Sequence, residues 1–426
     1  MCRHVVKLST LLASVGRMMD FSLARLPLVA LLALGAASFS VGCSSSGGAV
    51  DEGAEPEVAT DDITSVVQSS VKNQSIGNCW IYAHTGWVES LNKRATGTEL
   101  NLSESYASYW DWFTKVTSWP DTALDSKGEF SAGGTWSLYR WEVARFGTML
   151  EKDFIPEEAD AARSSRQGSA IRAFTESLKN GPLKTVEARR DRALVRAELD
   201  KAFGLSPEVV KKLDDLFGKD AMVSASQAGR ARREAAGVLG TQDIRIAWPN
   251  ARAKGVDVKG VLTDAVVQSG ASSWVESKYP EDASGRRAFQ IRVQRALHDH
   301  APVLTWWNVD FNAMTGSKFS KAQLDSRGPG RTGGHMTIGY DYQAKLADGT
   351  LLEVGKDVTD PALLEKALSK DTTIELIRVK NSWGGTGLPG VDTAPPSGYY
   401  DLEMPYLDGK VAEGFGLVAV VFPPGY

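Results

Sequence analysis

Cysteine is scarce in this chain: of 426 residues only Cys2, Cys43 and Cys79 are cysteines, which excludes a disulfide-dense scaffold. Histidine is scarce as well, at five residues, so any base chemistry has few candidates: His4, His84, His298, His300 and His335. A strong charge of one sign is also lacking. The net charge is −4, too near neutral to argue for nucleic acid or an anionic surface as partner. No internal repeat is visible. With 42% apolar and 23% charged residues the chain can bury a sizeable core, as one large or two modest globular domains.

The N-terminus reads as a targeting segment. Arg17 and Arg25 precede an apolar and small-residue run from Leu26 to Val41, which is short for a membrane span and suited to the core of a signal peptide. Val41-Gly42-Cys43 closes it in the manner of a bacterial lipobox, with Ser40 where Leu is commonest. Residues 1–43 are therefore expected to be a lipoprotein-type signal peptide, with Cys43 as the diacylated first mature residue, against the alternative of an ordinary secretory signal cleaved nearby. The expected location is exported and membrane-anchored, on the periplasmic or cell-surface side. Residues 44–62 are small, polar and acidic, with too little apolar surface to fold, and read as a flexible tether. If Cys2 and Cys43 go to processing and lipid, Cys79 is the remaining thiol.

Cys79 lies in Val71-Lys-Asn-Gln-Ser-Ile-Gly-Asn-Cys79-Trp80. From Trp80 onward apolar residues recur at helical spacing (Trp80, Ala83, Trp87, Val88, Leu91), after a polar, Gly-containing stretch, so a loop runs straight into a buried helix with Cys79 at the junction. Unpaired backbone N–H groups and the positive end of the helix dipole there favour thiolate over thiol. The alternative is a small buried apolar residue.

Further along, Asn101 or Ser103 is placed to cap a second helix whose aromatics (Tyr106, Tyr109, Trp110, Trp112, Phe113) read as core. Gly133-Gly134 opens a third helical pattern that stops at Gly147. From about Ile155 to Asp243 the chain is rich in Arg, Lys, Glu and Ala; the expectation is a helical insertion over about 157–243, with Ser206-Pro207 starting one helix and Gly218 ending it. Strand signals follow at 302–309, 336–342, 373–380, 399–402 and 416–422. Helices first and an antiparallel sheet afterwards predict an α+β protein of two lobes within residues 63–426.

A cysteine nucleophile needs a base, and the base needs an orienting group. His84 lies about a turn and a half from Cys79 and projects to another side of the helix, which makes it structural. His298 and His300 sit at a helix end, where a surface histidine is unremarkable. His335 stands at a strand start after Gly333-Gly334. Asn381, at the end of an apolar strand, is placed to accept the His335 Nδ1–H through its amide oxygen, with Trp383 covering that bond from water. Gln74 can aim its amide N–H at a developing oxyanion, with the Cys79 backbone N–H as second donor.

With these residues in place the sequence resembles the papain-like cysteine peptidases. Lys72-Asn73-Gln74 with Gly77-Asn78-Cys79-Trp80 looks like the family's Gln-to-Cys-Trp segment, Gly334-His335 like its His strand, and Lys380-Asn381-Ser382-Trp383-Gly384 like its Asn motif. Gly133-Gly134 looks like its substrate-backbone glycines, and with Trp383 these are the substrate-binding residues that the resemblance implies. Leu102-Ser103-Glu104, Ala301-Pro302-Val303 and Gly398-Tyr399-Tyr400 fit its helix and strand landmarks.

The departures are specific. The family places His about 130 to 150 residues after Cys; here the gap is 256 (335 − 79), which the helical insertion accounts for. The family's disulfide cysteines are missing, as in its bleomycin-hydrolase-like branch. Ile76-Gly77-Asn78 replaces Cys-Gly-Ser, and the tether holds no long inhibitory pro-segment.

The resemblance implies a two-lobe fold, helical plus antiparallel β-barrel-like, and hydrolysis of peptide bonds by a Cys79-His335-Asn381 triad with Gln74. It implies neither metal nor organic cofactor and a peptide or protein substrate; the expectation is a monomer, held to the membrane by the lipid that the N-terminal segment predicts. Transamidation or deamidation by the same Cys-His pair, and a catalytically silent surface binding protein, remain open.

Overall fold

The computed structural model describes residues 66–426 apart from 162, 268–272, 357, 359, 385–394 and 412–413. The expected signal peptide, Cys43 and the tether lie outside the described residues. What is described is a mixed α+β protein, helices first and strands afterwards.

The first helix, α1 (Cys79–Thr96), is buried continuously from Trp80 to Asn92, as its lack of a polar face requires. Gly97 ends it at φ 71, in the left-handed region that glycine enters without a Cβ penalty, and its N–H closes on Lys93 O. Helix α2 (Glu104–Ser118) starts at Ser103, whose hydroxyl accepts the Tyr106 N–H at 3.0 Å. Helix α3 (Trp136–Phe146) is capped by Thr135 and stops at Gly147, where a Cβ would lie 2.4 Å from the Leu239 carbonyl.

The segment expected as a helical insertion packs closely on the helices before it. Its helices α4 (Arg166–Lys179), α5 (Arg192–Phe203) and α6 (Pro207–Phe217) bury Phe174, Leu178, Leu199, Phe203, Leu213 and Phe217 in one apolar cluster with Tyr109, Trp110, Trp112 and Phe113 of α2. Trp110 stacks on Phe146 at 4.0 Å and meets the edge of Phe217 at 4.9 Å, contacts worth about 0.5–1.5 kcal/mol each beyond their burial. Most charged residues of this segment lie on its outer side, while Glu158, Arg189, Arg196 and Arg233 are buried. The inner side belongs to the helical core.

After a small hairpin of β1 (Arg245–Pro249) and β2 (Asp257–Val261) come β3 (Val275–Lys278), α7 (Ala283–His298), β4 (Leu304–Asp310), β5 (Thr332–Lys345), α8 (Pro361–Ala367), β6 (Thr373–Lys380), β7 (Tyr399–Glu403) and β8 (Leu417–Phe422). These strands form one sheet in the order β3-β8-β4-β5-β6-β7, antiparallel among themselves, and β7 continues through a parallel pairing into two short strands at 318–319 and 314–315. Among the described residues the pairing path has two ends and does not close into a barrel. One face of the sheet packs with α7 around Trp307, Tyr342, Leu402 and Tyr406.

Helix α1 packs against the sheet, its Trp80, Trp87 and Leu91 in one cluster with Leu304, Met336 and Ile338. Gly86 marks the closest approach, since a Cβ there would sit 3.1 Å from the Ile338 side chain. His298 corrects the sequence expectation of a surface histidine: at the end of α7 it is buried, with Nε2 in a short hydrogen bond to the Tyr342 hydroxyl of β5. A helix end packed against a sheet leaves no surface for it.

Candidate functional site

Two neighbouring strands set the histidine and the asparagine. His335 is the fourth residue of β5 and pairs across to Trp307 of β4, while Lys380, the last residue of β6, pairs with Ile338 of β5. Asn381 follows directly, its N–H held by Gly398 O at 2.9 Å. Its Oδ1 accepts from the Ser382 N–H at 2.7 Å, which fixes the amide with oxygen toward the ring, and takes the His335 Nε2–H at 2.7 Å. The nitrogen differs from the sequence expectation of Nδ1. The ring projects from β5 with its far nitrogen toward the end of β6, so Nε2 makes the bond and Nδ1 is the nitrogen left for other work.

Trp383 stacks on the His335 ring at 4.4 Å and 25°, and Trp307 meets it edge-on at 5.4 Å. Trp383 itself rests among Phe311, Phe319 and Tyr400. The imidazole is 4% exposed, and burial pulls its pKa down to about 4 against the opposing bond from Asn381.

Cys79 reaches this place from α1, which packs against the sheet. It is half-buried at the first position of α1, and its sulfur is met by the backbone N–H of Met336, the residue after His335, and by those of Trp80 and Cys79 itself. The helix start was expected to depress the thiol. Burial instead pushes it up, outweighing those N–H groups, so the structure favours a neutral thiol beside a neutral imidazole.

Gln74 lies on the loop that leads into Cys79, and that loop is docked on the segment after Asn381. Gln74 N–H donates to Ser382 O at 2.7 Å, Gln74 Oε1 accepts from the Ser382 hydroxyl at 2.6 Å, and Asn73 bridges to Trp383. One amide proton of Gln74 goes to Ile76 O at 2.8 Å, which leaves the second for a ligand.

Gly133 and Gly134 also come to α1. Trp80 donates its indole N–H to Ala132 O at 2.8 Å, and Gly134 lies so close to the Trp80 ring that a Cβ would sit 2.3 Å from it. Thus the sequence-predicted residues on the described chain assemble around the N-terminus of α1. His84 does not join them. It is fully buried between Trp136 and Tyr139, donates through Nδ1 to Trp80 O, and is held by burial at a pKa of about 3.

Residues to which the sequence assigned no role support the site from behind. Lys72 donates to Glu89 (3.0 Å), Glu104 (2.8 Å) and Leu102 O (2.8 Å); burial pulls its pKa down, but the two carboxylates outweigh it and hold the ammonium charged. Lys380 is buried with its ammonium on Ser69, and burial lowers it to about 8. Gln167, at the start of α4, accepts from Asn78 Nδ2 at 2.9 Å and donates to Ser105 at 3.2 Å, while Ser75 donates to Ser164 O at 2.7 Å. The segment beyond residue 157 therefore holds the loop before Cys79 directly. No composition or spacing signal marks a Gln 88 residues (167 − 79) from the cysteine as its support.

Compared with known proteins, the chain matches no family model and no curated protein. Among solved structures it is similar to the crystal structure of PepW from Lactobacillus rhamnosis HN001, with 13% identity over 84% of this chain and 81% of that one and a TM-score of 0.41. A likeness of that size does not identify a fold.

Proposed function

We propose that this chain is a cysteine peptidase of papain-like, two-lobe architecture, with Cys79 as nucleophile, His335 as general base and acid, and Asn381 as the residue that orients His335. The observation that supports it most is the His335 Nε2 to Asn381 Oδ1 bond under Trp383, with the Cys79 sulfur beside the adjoining Met336 N–H.

With Nε2 occupied, Nδ1 takes the thiol proton as Cys79 Sγ attacks the scissile carbonyl carbon. Two charges then arise together in a buried site, where their attraction is strong and offsets their loss of water. The carbonyl electrons move to oxygen, which the Cys79 N–H and the free amide proton of Gln74 stabilise. As the C–N bond breaks, His335 Nδ1–H protonates the leaving amine and a thioester to Cys79 remains. His335 then takes a proton from water, whose oxygen attacks the thioester; the acid leaves and Cys79 regains its proton. Gly133, Gly134 and Trp383 flank the substrate.

The test is peptide cleavage by the parent and by Cys79→Ala, followed by mass spectrometry, with an epoxide inhibitor of papain-like enzymes as label. Cleavage lost in the variant and labelling of Cys79 are expected; equal cleavage by both proteins overturns the reading. Products of ligation or a one-dalton change would assign transamidation or deamidation to the same pair. We also propose export as a lipoprotein through Cys43. Radiolabelled palmitate incorporated by the parent and not by Cys43→Ser is the expected result.

A further inference from the structure

We infer that Lys115 is a positioning residue that holds the 131–134 strip in the form that presents the Gly134 backbone to a peptide substrate. The inference rests on the peptidase reading above and concerns residues that reading does not use.

Lys115 lies near the end of α2, with its side chain 16% exposed. Its ammonium donates to Asp111 Oδ2 at 2.7 Å, to Ser131 O at 3.1 Å and to Gly133 O at 2.6 Å. An ammonium has three protons, so all are committed and none is left for a ligand. The same ammonium lies 5.7 Å above the Trp80 ring, whose indole N–H holds Ala132 O. Gly133 N–H turns inward to the Ser131 hydroxyl at 3.3 Å. Every polar backbone group named so far is thereby used within the protein. The next residue differs, because no hydrogen bond occupies the Gly134 N–H or C=O among the described residues. One N–H and one C=O on a half-buried glycine, side by side at the edge of the site, are what an extended peptide backbone pairs with.

Asp111 explains why a lysine is stable there. It is wholly buried on α2, one turn before Lys115, and its second oxygen, Oδ1, has no donor from the protein. Glu142 of α3 is buried beside it with an equally unpartnered Oε1. Burial and the neighbouring Asp111 carboxylate raise Glu142 well above the usual carboxylate range, so Glu142 holds a proton that can be shared with Asp111. Asp111 then remains the anion facing Lys115. The strip is thus tied through Lys115 to a singly protonated carboxyl pair in the helical core, and Trp80 ties it to the residue next to Cys79.

The experiment compares parent, Lys115→Met, Lys115→Arg and the double variant Asp111→Asn/Lys115→Met, which avoids an unpaired buried carboxylate if the single variant does not fold. Cleavage by the parent and not by Cys79→Ala is established first; if neither cleaves, the peptidase reading fails and amide hydrogen exchange of residues 131–134 alone decides this proposal. With cleavage present, Lys115→Met and the double variant are expected to raise KM for peptides about tenfold with kcat within about twofold. Alkylation of Cys79 by iodoacetamide, which needs no backbone pairing, is expected at the parent rate. Exchange at 131–134 is expected to quicken, and Lys115→Arg to recover part of the KM. An unchanged KM with unchanged exchange overturns the proposal. So does an equal loss of kcat and alkylation, which would make Lys115 a general support of the fold.

Discussion

His335 Nε2 and Asn381 Oδ1 lie 2.7 Å apart, joined across two antiparallel strands whose residues are 46 positions apart in sequence. The bond holds the imidazole in one tautomer, and the stacked Trp383 shields it from competing water. Asn381→Ala removes one neutral hydrogen bond, worth about 0.5–1.5 kcal/mol. The expected loss in kcat/KM is about three- to tenfold. His335→Ala removes the proton carrier itself, and a loss of about 10²- to 10⁴-fold is expected. Steady-state kinetics on one peptide checks both; equal losses would mean that Asn381 does more than orient.

Burial holds His335 near pKa 4, and only the neutral ring accepts the thiol proton. The acid limb of kcat/KM is therefore expected to fall near pH 4, well below the ordinary histidine value. An acid limb midpoint near 6.5 would contradict the burial seen here.

Stability follows the same groups. His335 and His84 are kept neutral in the fold, at about 4 and about 3, against about 6.5 unfolded. Between those values the unfolded chain binds more protons, so stability falls as pH is lowered from about 6.5 and goes on falling to about 4 for His335 and about 3 for His84. Each histidine contributes a slope of about 1.4 kcal/mol per pH unit inside its window. Urea midpoints measured from pH 7 to 4 should drop accordingly, and His84→Phe should flatten the decline.

Gly134 has no room for a side chain, because a Cβ would lie 2.3 Å from the Trp80 ring. Gly134→Ala must shift either the strip or the indole next to Cys79. Overpacking of this kind costs about 1–3 kcal/mol. A lower thermal midpoint and a higher KM are the expected pair of effects.

Gln167→Ala leaves the Asn78 amide with one of its two acceptors and Ser105 without its donor. The expected loss of stability is about 1–3 kcal/mol, the cost of buried groups left unpaired. Because Asn78 precedes Cys79, iodoacetamide is expected to label Cys79 faster in this variant. A chain lacking residues 157–243 is expected not to fold, since that segment completes the core of α2.

Local rules made much of the fold legible. Ser103 and Ser206 cap the helices that follow them, Gly147 and Gly218 end theirs, and β6 spans Thr373–Lys380 as its β-branched run implies. Capping and alternation act over a few residues and leave their mark in the sequence. The support of the site left none. Asp111 and Lys115 form an ordinary i, i+4 pair on paper, which reads as a solvated helix face until α3 and the 131–134 strip bury it.

The sequence by itself singled out the candidate groups: a thiol at a helix start, a histidine on a strand, an asparagine after another strand, and a glutamine before the thiol. The tertiary structure decided how they are placed. Burial raised the thiol and lowered the imidazole where the helix dipole alone argued for a thiolate, because removal from water outweighs a few backbone N–H groups. It gave the Asn381 bond to Nε2, because ring direction depends on how β5 and β6 are registered. It also packed the charged helical segment on the helices before it, because a helix shows which side it buries only when its neighbours are in place.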